Sequence, residues 1–419
     1  MQRTVVQADV LVVGAGPAGL TAATALREAG VDSVMVIERE TDAGGIPRHS
    51  DHTGYGLRDL RRVLTGPQYA RRLVDQAKDW RVDLRTSTMA TDWAADTSLF
   101  VTGPGGRVRV EARAVILATG ARERSRSARM VPGDRPSGVL TTGLLQSLVH
   151  LRHERAGGLI GTRAVVIGAE LVSWSAVVTL REAGCETVLM TSEYERPESY
   201  AAFNLAGRTA LRVPVSTSTR LVRIIGRERV EAVELMRLDT GARRILECDT
   251  VVLTGDWVPD NELARVRGLA IDAEHRGPLV DTALRTSAAG IFAAGNLLHP
   301  VDTADVAALD GRHVAVQVTA WLRGLAQPTE STRVVPGAGL RWVVPGVIRP
   351  GDPAPPRDRV LAWPTLYRPL PRVIVEQGSV IVASRRLPWP ASPGRVLRLP
   401  WGLFGGVRPG EGEVTVSIT

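Results

Sequence analysis

Two parts of the chain share one pattern of apolar and polar positions. Each begins with a short apolar run, residues 9–13 or 164–167, continues through a stretch with helical spacing, and reaches a further apolar run, residues 33–37 or 186–190. Short continuous apolar runs are typical of parallel strands that are buried on both faces. The pattern therefore predicts two βαβ units and parallel sheets in an α/β fold.

A glycine-rich turn follows the first apolar run. Gly14, Gly16 and Gly19 form the pattern G-x-G-x-x-G. The first glycine permits a tight turn, the second lets the backbone approach a pyrophosphate, and the third lets the helix pack on the strand. We expect the helix to begin near Pro17, with Ala18 in its first turn, and its free N–H groups to bind the pyrophosphate.

An acidic residue closes the second apolar run of this unit. Glu38 follows residues 33–37, and a carboxylate at this position can accept hydrogen bonds from ribose hydroxyls. Arg39 is a further candidate ligand, with an exposed surface position as the alternative. Because NAD and FAD are bound by the same arrangement, this unit predicts a dinucleotide without choosing between them.

Three later segments favour FAD. Two are apolar runs that end near a glycine, and the third is a short apolar run followed by a helical stretch. The segments are residues 113–122 with Thr119 and Gly120, residues 248–256, and residues 290–296 with Gly295 and Asn296, after which the helical stretch begins at Thr303 and Ala304.

The order of these motifs resembles that of the pyridine nucleotide-disulfide oxidoreductase superfamily, over about residues 8–325. The resemblance implies an FAD-dependent oxidoreductase with FAD as cofactor. It also implies two Rossmann-like dinucleotide-binding domains of the three-layer ββα/βαβ type. In this superfamily the last motif usually ends in Gly-Asp, and the aspartate holds the ribityl chain of the flavin. Here Asn296 takes that place, and its amide can still accept and donate hydrogen bonds.

Within the superfamily the chain is most similar to the flavoprotein or alpha subunits of multi-component dehydrogenases. These include opine oxidase, hydrogen cyanide synthase, heterotetrameric sarcosine oxidase and a flavoprotein associated with glycerol-3-phosphate dehydrogenase. The local match is strongest to the last group, through residues 44–45, 52–57 and 64–70. The similarity implies a small-molecule substrate and a partner subunit or electron acceptor.

The turn of the second βαβ unit departs from the pattern. Gly168 keeps the first glycine position, but Glu170 and Ser173 stand where the other two glycines belong. A carboxylate ~4 Å from a pyrophosphate would repel it by a few kcal/mol at an effective dielectric constant near 20. Two interpretations stay open: the unit no longer binds NAD(P)H tightly, or a shifted turn accepts NAD(H) or another nucleotide.

The segment from Gly45 to His52 contains the candidate chemistry. In the resembling superfamily this region runs beside the flavin, and Gly45 is a candidate cofactor ligand. His49 and His52 are candidate general bases because histidine titrates near neutral pH. The alternative is a hydrogen-bonded loop that only braces the cofactor. Some relatives carry a cysteine where this chain has Ser50, and without further ligands the H-x-x-H spacing predicts no metal site.

The motifs divide the chain into three parts. We expect a discontinuous FAD-binding domain from residues 1–124 and 248–328, and an NAD(P)-binding-like domain from residues 125–247. Residues 329–419 are rich in proline and glycine and contain short β-type runs, which predict a small C-terminal β module. Its tryptophans are expected to be core residues or a docking face.

Composition adds limits to these interpretations. The 419 residues carry a net charge of +8, almost all from scattered arginines, and no basic tract predicts nucleic-acid binding. No apolar run approaches the ~20 residues that span a bilayer. The first strand begins within about ten residues of the N-terminus, so we expect no signal peptide and a cytoplasmic protein. The two cysteines, Cys185 and Cys248, are far apart and form no C-x-x-C pair.

Three functions are consistent with the sequence. The first is an FAD-dependent dehydrogenase or oxidase component that passes electrons from a small organic substrate to a partner or acceptor. The second is a stand-alone NAD(P)H-dependent flavin reductase. The third is a non-catalytic flavin-bearing scaffold that docks a partner through its C-terminal module.

Overall fold

A computed structural model describes residues 5–300, 302–325, 328 and 330–419. The first strands in chain order are β1 (Val5–Val13), β2 (Val34–Ile37), β3 (Thr53–Tyr55), β4 (Leu64–Thr65), β5 (Asp83–Arg85), β6 (Met89–Ala95), β7 (Ser98–Gly103), β8 (Gly106–Leu117) and β9 (Ala121–Glu123). The next are β10 (Val139–Thr141), β11 (Arg163–Ile167), β12 (Glu186–Thr191), β13 (Val215–Ser216), β14 (Thr219–Ile225), β15 (Ala232–Arg237), β16 (Arg243–Glu247), β17 (Thr250–Leu253), β18 (Trp257–Pro259) and β19 (Ile291–Ala293).

The C-terminal strands and the α-helices complete the fold. The strands are β20 (Thr332–Pro336), β21 (Leu340–Val344), β22 (Val347–Ile348), β23 (Arg359–Pro364), β24 (Arg372–Gln377), β25 (Val380–Arg386), β26 (Leu397–Pro400) and β27 (Val414–Ile418). The helices are α1 (Pro17–Glu28), α2 (Gly66–Asp79), α3 (Thr142–Gln146), α4 (Leu171–Ala183), α5 (Ala201–Ala210), α6 (Glu262–Val266) and α7 (Ala304–Leu322).

The first sheet has the order β5-β2-β1-β8-β7-β6, and β19 also pairs with β8. Parallel pairing places Val13 opposite Ile37 and Leu117, and Leu117 opposite Ala293. The carboxyl ends of β1, β2, β8 and β19 therefore lie side by side. The turns after these strands meet at one edge of the sheet, where ligands of open α/β sheets bind.

Helices α1 and α7 cross at very short range beneath this edge. A Cβ placed on Gly311 of α7 would lie 2.2 Å from the carbonyl oxygen of Ala18 in α1. Only glycine permits this approach. The crossing fixes the N-termini of both helices relative to the sheet edge.

The second unit has a parallel sheet of order β10-β17-β11-β12-β13 and a three-stranded antiparallel sheet, β14-β15-β16. Here Ile167 lies opposite Thr191 and Leu253, so the turns after β11, β12 and β17 also meet. The motif order predicted that residues 248–256 belong to the first domain, but β17 pairs with β10 and β11 of the second sheet. An apolar strand pattern does not specify its sheet, and the chain returns to the first unit only after this strand.

The C-terminal module contains sheets of order β22-β20-β27-β24-β25 and β21-β23-β26. The β-type runs predicted at residues 341–344, 372–376, 379–383 and 413–418 correspond to β21, β24, β25 and β27. Trp342 is 4% exposed, stacks on Trp363 at 5.6 Å between ring centroids, and joins the core of the first unit. Trp389 is 38% exposed. The expected boundary at 328/329 includes residue 329, which lies outside the described residues.

No α-helix among the described residues combines the length and the apolar character that a membrane crossing requires.

We expect the substitution Gly311→Ala to destabilise the protein. The added methyl group would collide with the backbone of α1, and overpacking of this kind costs about 1–3 kcal/mol. Gly402→Ala is the matched control, because a Cβ there would meet no atom within 4 Å. Urea unfolding of both variants measures the difference, and equal stabilities would show that the helices can separate at no cost.

Candidate functional site

The turn after β1 is shaped by its glycines. A Cβ on Gly14, whose φ is +104°, would lie 2.4 Å from the Ala118 carbonyl oxygen, and a Cβ on Gly19 would lie 1.9 Å from that of Gly14. A Cβ on Gly16 would meet no atom within 4 Å. Two glycines are thus required for internal packing, while the middle one faces open space beside Pro17 at the start of α1.

Glu38 occupies the sheet edge next to this turn. Its Oε2 accepts a hydrogen bond from the backbone N–H of Ala15 at 2.9 Å, and its Oε1 accepts one from that of Glu40 at 3.0 Å. The carboxylate is partly buried and fixed in position. Arg39 is exposed and pairs with Asp260 at 3.2 Å, which agrees with the surface alternative for that residue.

The segment that begins at Gly45 lies against the first turn. A Cβ on Gly45, whose φ is +63°, would lie 2.9 Å from the Cα of Gly16, and the N–H of Gly44 donates to the Ala15 carbonyl at 2.8 Å. This close contact requires glycine at position 45. It sets the segment through His52 alongside the sheet edge.

The turn after β8 is held by Asp260, which no sequence motif had indicated. The Thr119 hydroxyl donates to the Asp260 carbonyl at 2.7 Å, and the Asp260 N–H donates to the Gly120 carbonyl at 2.9 Å. Thr119 and Gly120 are thereby fixed at the same edge as Glu38. Asp260 itself is 7% exposed and also pairs with Arg122.

The turn after β19 leads to α7. A Cβ on Gly295 would lie 2.7 Å from the Cβ of Ala18. The Asn296 side chain exchanges two hydrogen bonds of 3.1 Å with the backbone of Asp302. These bonds brace the loop before α7. Thr303 precedes Ala304 at the start of α7.

Arg58 lies at the N-terminus of α7. Its guanidinium donates to the Thr303 hydroxyl at 2.9 Å and to the buried Asp305 carboxylate at 3.3 Å. Its backbone N–H donates to the second oxygen of Asp305 at 3.1 Å. The residues after β3 are thus tied to the helix end, and Asp305 balances the positive charge of Arg58.

His52 and Ser50 form a hydrogen-bonded pair. His52 Nδ1 lies 2.9 Å from the carbonyl oxygen of Thr53, and Nε2 lies 3.1 Å from the Ser50 hydroxyl. Because a carbonyl only accepts, Nδ1 carries the proton, and in the neutral ring Nε2 accepts from Ser50. The Ser50 oxygen in turn lies 3.3 Å from the amide nitrogen of Gln146, which bonds to Ser175 at 2.8 Å.

His49 lies deeper than His52, with 8% of its surface exposed. Burial, with a smaller contribution from Arg48, lowers the pKa of His49 to about 4, so its ring is neutral at physiological pH. Its carbonyl oxygen lies 2.5 Å from Nδ1 of His150, whose Nε2 contacts Glu182 at 2.9 Å. The predicted catalytic segment is therefore anchored to helices of the second unit.

The turn of the second unit keeps only one of its three glycine positions. A Cβ on Gly168, whose φ is +122°, would lie 2.2 Å from Oγ1 of Thr254. At the third position the Ser173 hydroxyl is fully buried, accepts from the Glu170 N–H at 3.0 Å and lies 2.6 Å from the Thr254 hydroxyl. The serine is thus a well-bonded part of the turn.

Glu170 places a carboxyl group at the second position. Burial, followed by the neighbouring Glu198 carboxylate, raises the pKa of Glu170 to about 8. Burial also raises the pKa of Glu198 to about 7. A Cβ on Gly255 would lie 2.5 Å from Oε1 of Glu170, so the carboxyl group packs directly on the turn after β17.

Comparison with known proteins assigns the family. The model of the family described as pyridine nucleotide-disulphide oxidoreductase matches residues 8–311. The chain belongs to this family. The resemblance inferred from the motifs is therefore confirmed, as is the fold of two Rossmann-like domains.

Membership in the family makes the protein an FAD-dependent oxidoreductase. The geometry of the first unit fits such a cofactor. The turn at Gly16 is open to a ligand, and the Glu38 carboxylate stands beside it at the strand ends. The second turn offers no comparable opening at Glu170.

Several curated proteins are similar over most of the chain. An opine oxidase subunit from Agrobacterium tumefaciens (strain Ach5) is 28% identical over 78% of this chain and 68% of its own length. The ferredoxin reductase component of chlorobenzene dioxygenase from Cupriavidus sp. (strain PS12) is 28% identical over 68% of this chain and 66% of its own length. The corresponding opine oxidase subunit from Rhizobium meliloti is matched over only 58% of its length.

Solved structures support the fold. The crystal structure of T. acidophilum thioredoxin reductase has a TM-score of 0.63 at 20% sequence identity, and the match covers 75% of this chain and 98% of that one. A NAD-dependent persulfide reductase from A. fulgidus has a TM-score of 0.57 at 22% identity and covers 91% of this chain and 70% of its own.

We expect the substitution Glu38→Ala to weaken FAD binding by this flavoprotein. Loss of a hydrogen bond to a charged group costs about 1.5–3 kcal/mol, which corresponds to roughly a 10- to 100-fold higher Kd. Glu40→Gln is the control, because Glu40 is exposed and its carboxylate pairs only with Arg48 among the contacts described. Fluorescence titration of the apoprotein with FAD measures both, and an unchanged Kd for Glu38→Ala would contradict the assignment.

We expect His49 to make stability depend on pH. The unfolded chain binds this proton near pH 6.5 and the folded chain only near pH 4, so acidification through this window favours unfolding. The loss between these pH values amounts to at most about 3 kcal/mol. His49→Gln should flatten the stability profile between pH 6.5 and 4, whereas His153→Gln, at an exposed histidine, should not.

Proposed function

We propose that the protein is the flavoprotein subunit of a multi-component dehydrogenase or oxidase. It passes electrons from a small organic substrate to a partner or acceptor. The observation that carries the proposal is Glu170 in the second turn, where an NAD(P)H-dependent relative needs an open backbone. The similarity to the two opine oxidase subunits supports the same class.

In this proposal the first sheet edge holds the FAD. The turn after β1 and the start of α1 would hold the pyrophosphate, Glu38 would hold the ribose, and the N-terminus of α7 would hold the pyrimidine end of the flavin. The proposed ligands are Gly14, Gly16, Pro17, Ala18, Gly19, Glu38, Gly45, Thr119, Gly120, Gly295, Thr303 and Ala304. Arg39 and Asn296 are assigned bracing roles instead, because their side chains bond Asp260 and Asp302.

The bound isoalloxazine supplies the acceptor for a hydride or an electron pair. The chain supplies the proton chemistry. Nε2 of His52 is held as an acceptor by the Nδ1–H bond to Thr53, and when a substrate amine or hydroxyl takes the place of the Ser50 hydroxyl at Nε2, it can take the substrate's proton. Ser50 lies between His52 and Gln146 and orients the ring. His49, neutral and buried, braces the segment.

Electrons do not leave through a dithiol of this chain. Cys185 and Cys248 are both buried and unpaired, and burial raises the pKa of each thiol to about 12. Thiols of this kind are inert at physiological pH. The proposed exit is a partner subunit or a soluble acceptor.

The experiment mixes FAD-loaded protein anaerobically with an opine, an amino acid or glycerol 3-phosphate, and separately with NADH or NADPH. The flavin absorbance reports reduction. We expect bleaching by an organic donor and none by the nucleotides within minutes. Bleaching by NADH or NADPH and by none of the organic donors would favour the flavin reductase instead.

We expect His52→Asn to slow flavin reduction by the organic donor about 10²- to 10⁴-fold, the usual contribution of a general base. The flavin spectrum of the loaded protein should stay unchanged. Ser50→Ala should slow reduction less, because it removes only the bond that orients Nε2. His153→Asn, at an exposed position, serves as the control. Normal reduction by His52→Asn would remove His52 from the mechanism.

A further inference from the structure

A segment of the C-terminal module lies against the turn of the second unit. Gly394 has a φ of +75°, and a Cβ placed on it would lie 2.4 Å from the Cβ of Glu198 and 3.2 Å from the Cγ of Glu170. The Glu170 side chain therefore passes between Gly394 and Gly255. Gly394 therefore covers the turn on the side of Glu170 and Glu198, although both Gly394 and Glu170 stay partly exposed.

Contacts hold this segment, residues 391–395, at both of its ends. Ala391 exchanges two backbone hydrogen bonds of 2.9 Å with Arg368, and Ala391 and Ser392 are 1% and 5% exposed. Arg395 lies 4.7 Å above the ring of Tyr200, which belongs to the second unit. Partial burial lowers the pKa of Arg395.

A reciprocal contact lies beside the first. Arg196 of the second unit stacks over Tyr367 of the C-terminal module, 4.5 Å from the ring centroid. Each partner thus contributes one arginine and one tyrosine. Because Arg196 and Tyr200 are themselves exposed, each cation–π contact holds the two parts together only modestly.

Residues of the second unit also pack against the turn that follows β11. The N–H of Ser199 donates to the carbonyl oxygen of Ala169, within the turn, at 2.9 Å. Glu198 is 5% exposed, and its Oε2 has no hydrogen-bond partner among the described residues. The segment after β12 thus packs against the turn that follows β11. A nucleotide ribose would have to approach at this segment.

The other face of the C-terminal module is attached to the first unit. Arg398 donates two hydrogen bonds, of 2.6 and 2.7 Å, to the Asp302 carboxylate in the loop before α7. Arg357 pairs with Asp310 of α7. These carboxylates are at most 8% exposed. The C-terminal module therefore contacts both dinucleotide-binding units.

We propose that residues 391–395 close the second dinucleotide site of their own chain, so that restoring the glycine at position 170 alone does not restore nucleotide binding. This inference rests on the proposed function, since it explains why that unit supplies no electrons. The segment takes the place of the pyrophosphate. The module also holds the two units in one orientation.

The test compares four variants of the FAD-loaded protein: Glu170→Gly, Arg395→Ala, the double variant, and Glu170→Gly combined with Arg107→Ala. Arg107 forms a similar cation–π contact with Phe100, at 4.3 Å, in the first sheet and is the matched control. NADH binding is measured by calorimetry, and hydrogen exchange is measured at residues 391–395.

We expect Glu170→Gly alone and the Arg107 control to bind NADH no better than the unsubstituted protein. The double variant should bind at least tenfold more tightly than Glu170→Gly. Arg395→Ala should speed exchange of the segment about two- to fivefold, because the partly exposed cation–π contact with Tyr200 is lost.

Two outcomes would overturn the inference. Full NADH binding by Glu170→Gly alone would show that the segment is no obstacle. Failure of the double variant to bind, although exchange shows the segment released, would show that something else excludes the nucleotide. Neither outcome bears on the proposed function, which is tested separately by whether organic donors or NADH and NADPH reduce the flavin of the unsubstituted protein.

Discussion

The parallel register of β1, β2, β8 and β19 is the constraint on which the first site depends. It sets Val13, Ile37, Leu117 and Ala293 in line, although they come from distant parts of the chain. The turns that follow these strands therefore all lie at one edge of the sheet. The crossing of α1 and α7 at Gly311 completes the arrangement, because it holds two helix N-termini against the same edge.

The second unit repeats the register with a different outcome. Its strands also end together at Ile167, Thr191 and Leu253. The turn that follows β11 carries Glu170 and Ser173, and the hydroxyl of Ser173 satisfies the backbone where a glycine would have left room. The fold has thus been retained while the space for a phosphate is filled by a carboxyl group.

Much of the first site could be predicted from the sequence because its requirements are local. Gly14, Gly16, Gly19 and Glu38 are set by spacing along one βαβ unit, and their positions agree with the packing around each glycine. Residues whose roles depend on partners outside the motifs could not be predicted. The amide of Asn296 bonds Asp302 in the loop that follows, and Thr119 bonds the distant Asp260, which no motif indicates. The strand at 250–253 was placed in the wrong sheet, because an apolar run carries no information about its neighbours. For the hydrogen-bonded pair of Ser50 and His52, the sequence offers only their S-x-H spacing as a signal.

Equilibrium binding of NADH to the unsubstituted, FAD-loaded protein tests the central claim most directly. Isothermal titration at neutral pH should show no saturable binding up to about 1 mM, which corresponds to less than about 4 kcal/mol of affinity. One-to-one binding with a micromolar Kd would contradict the account, because it would mean that a pyrophosphate is accepted beside Glu170 and beneath residues 391–395.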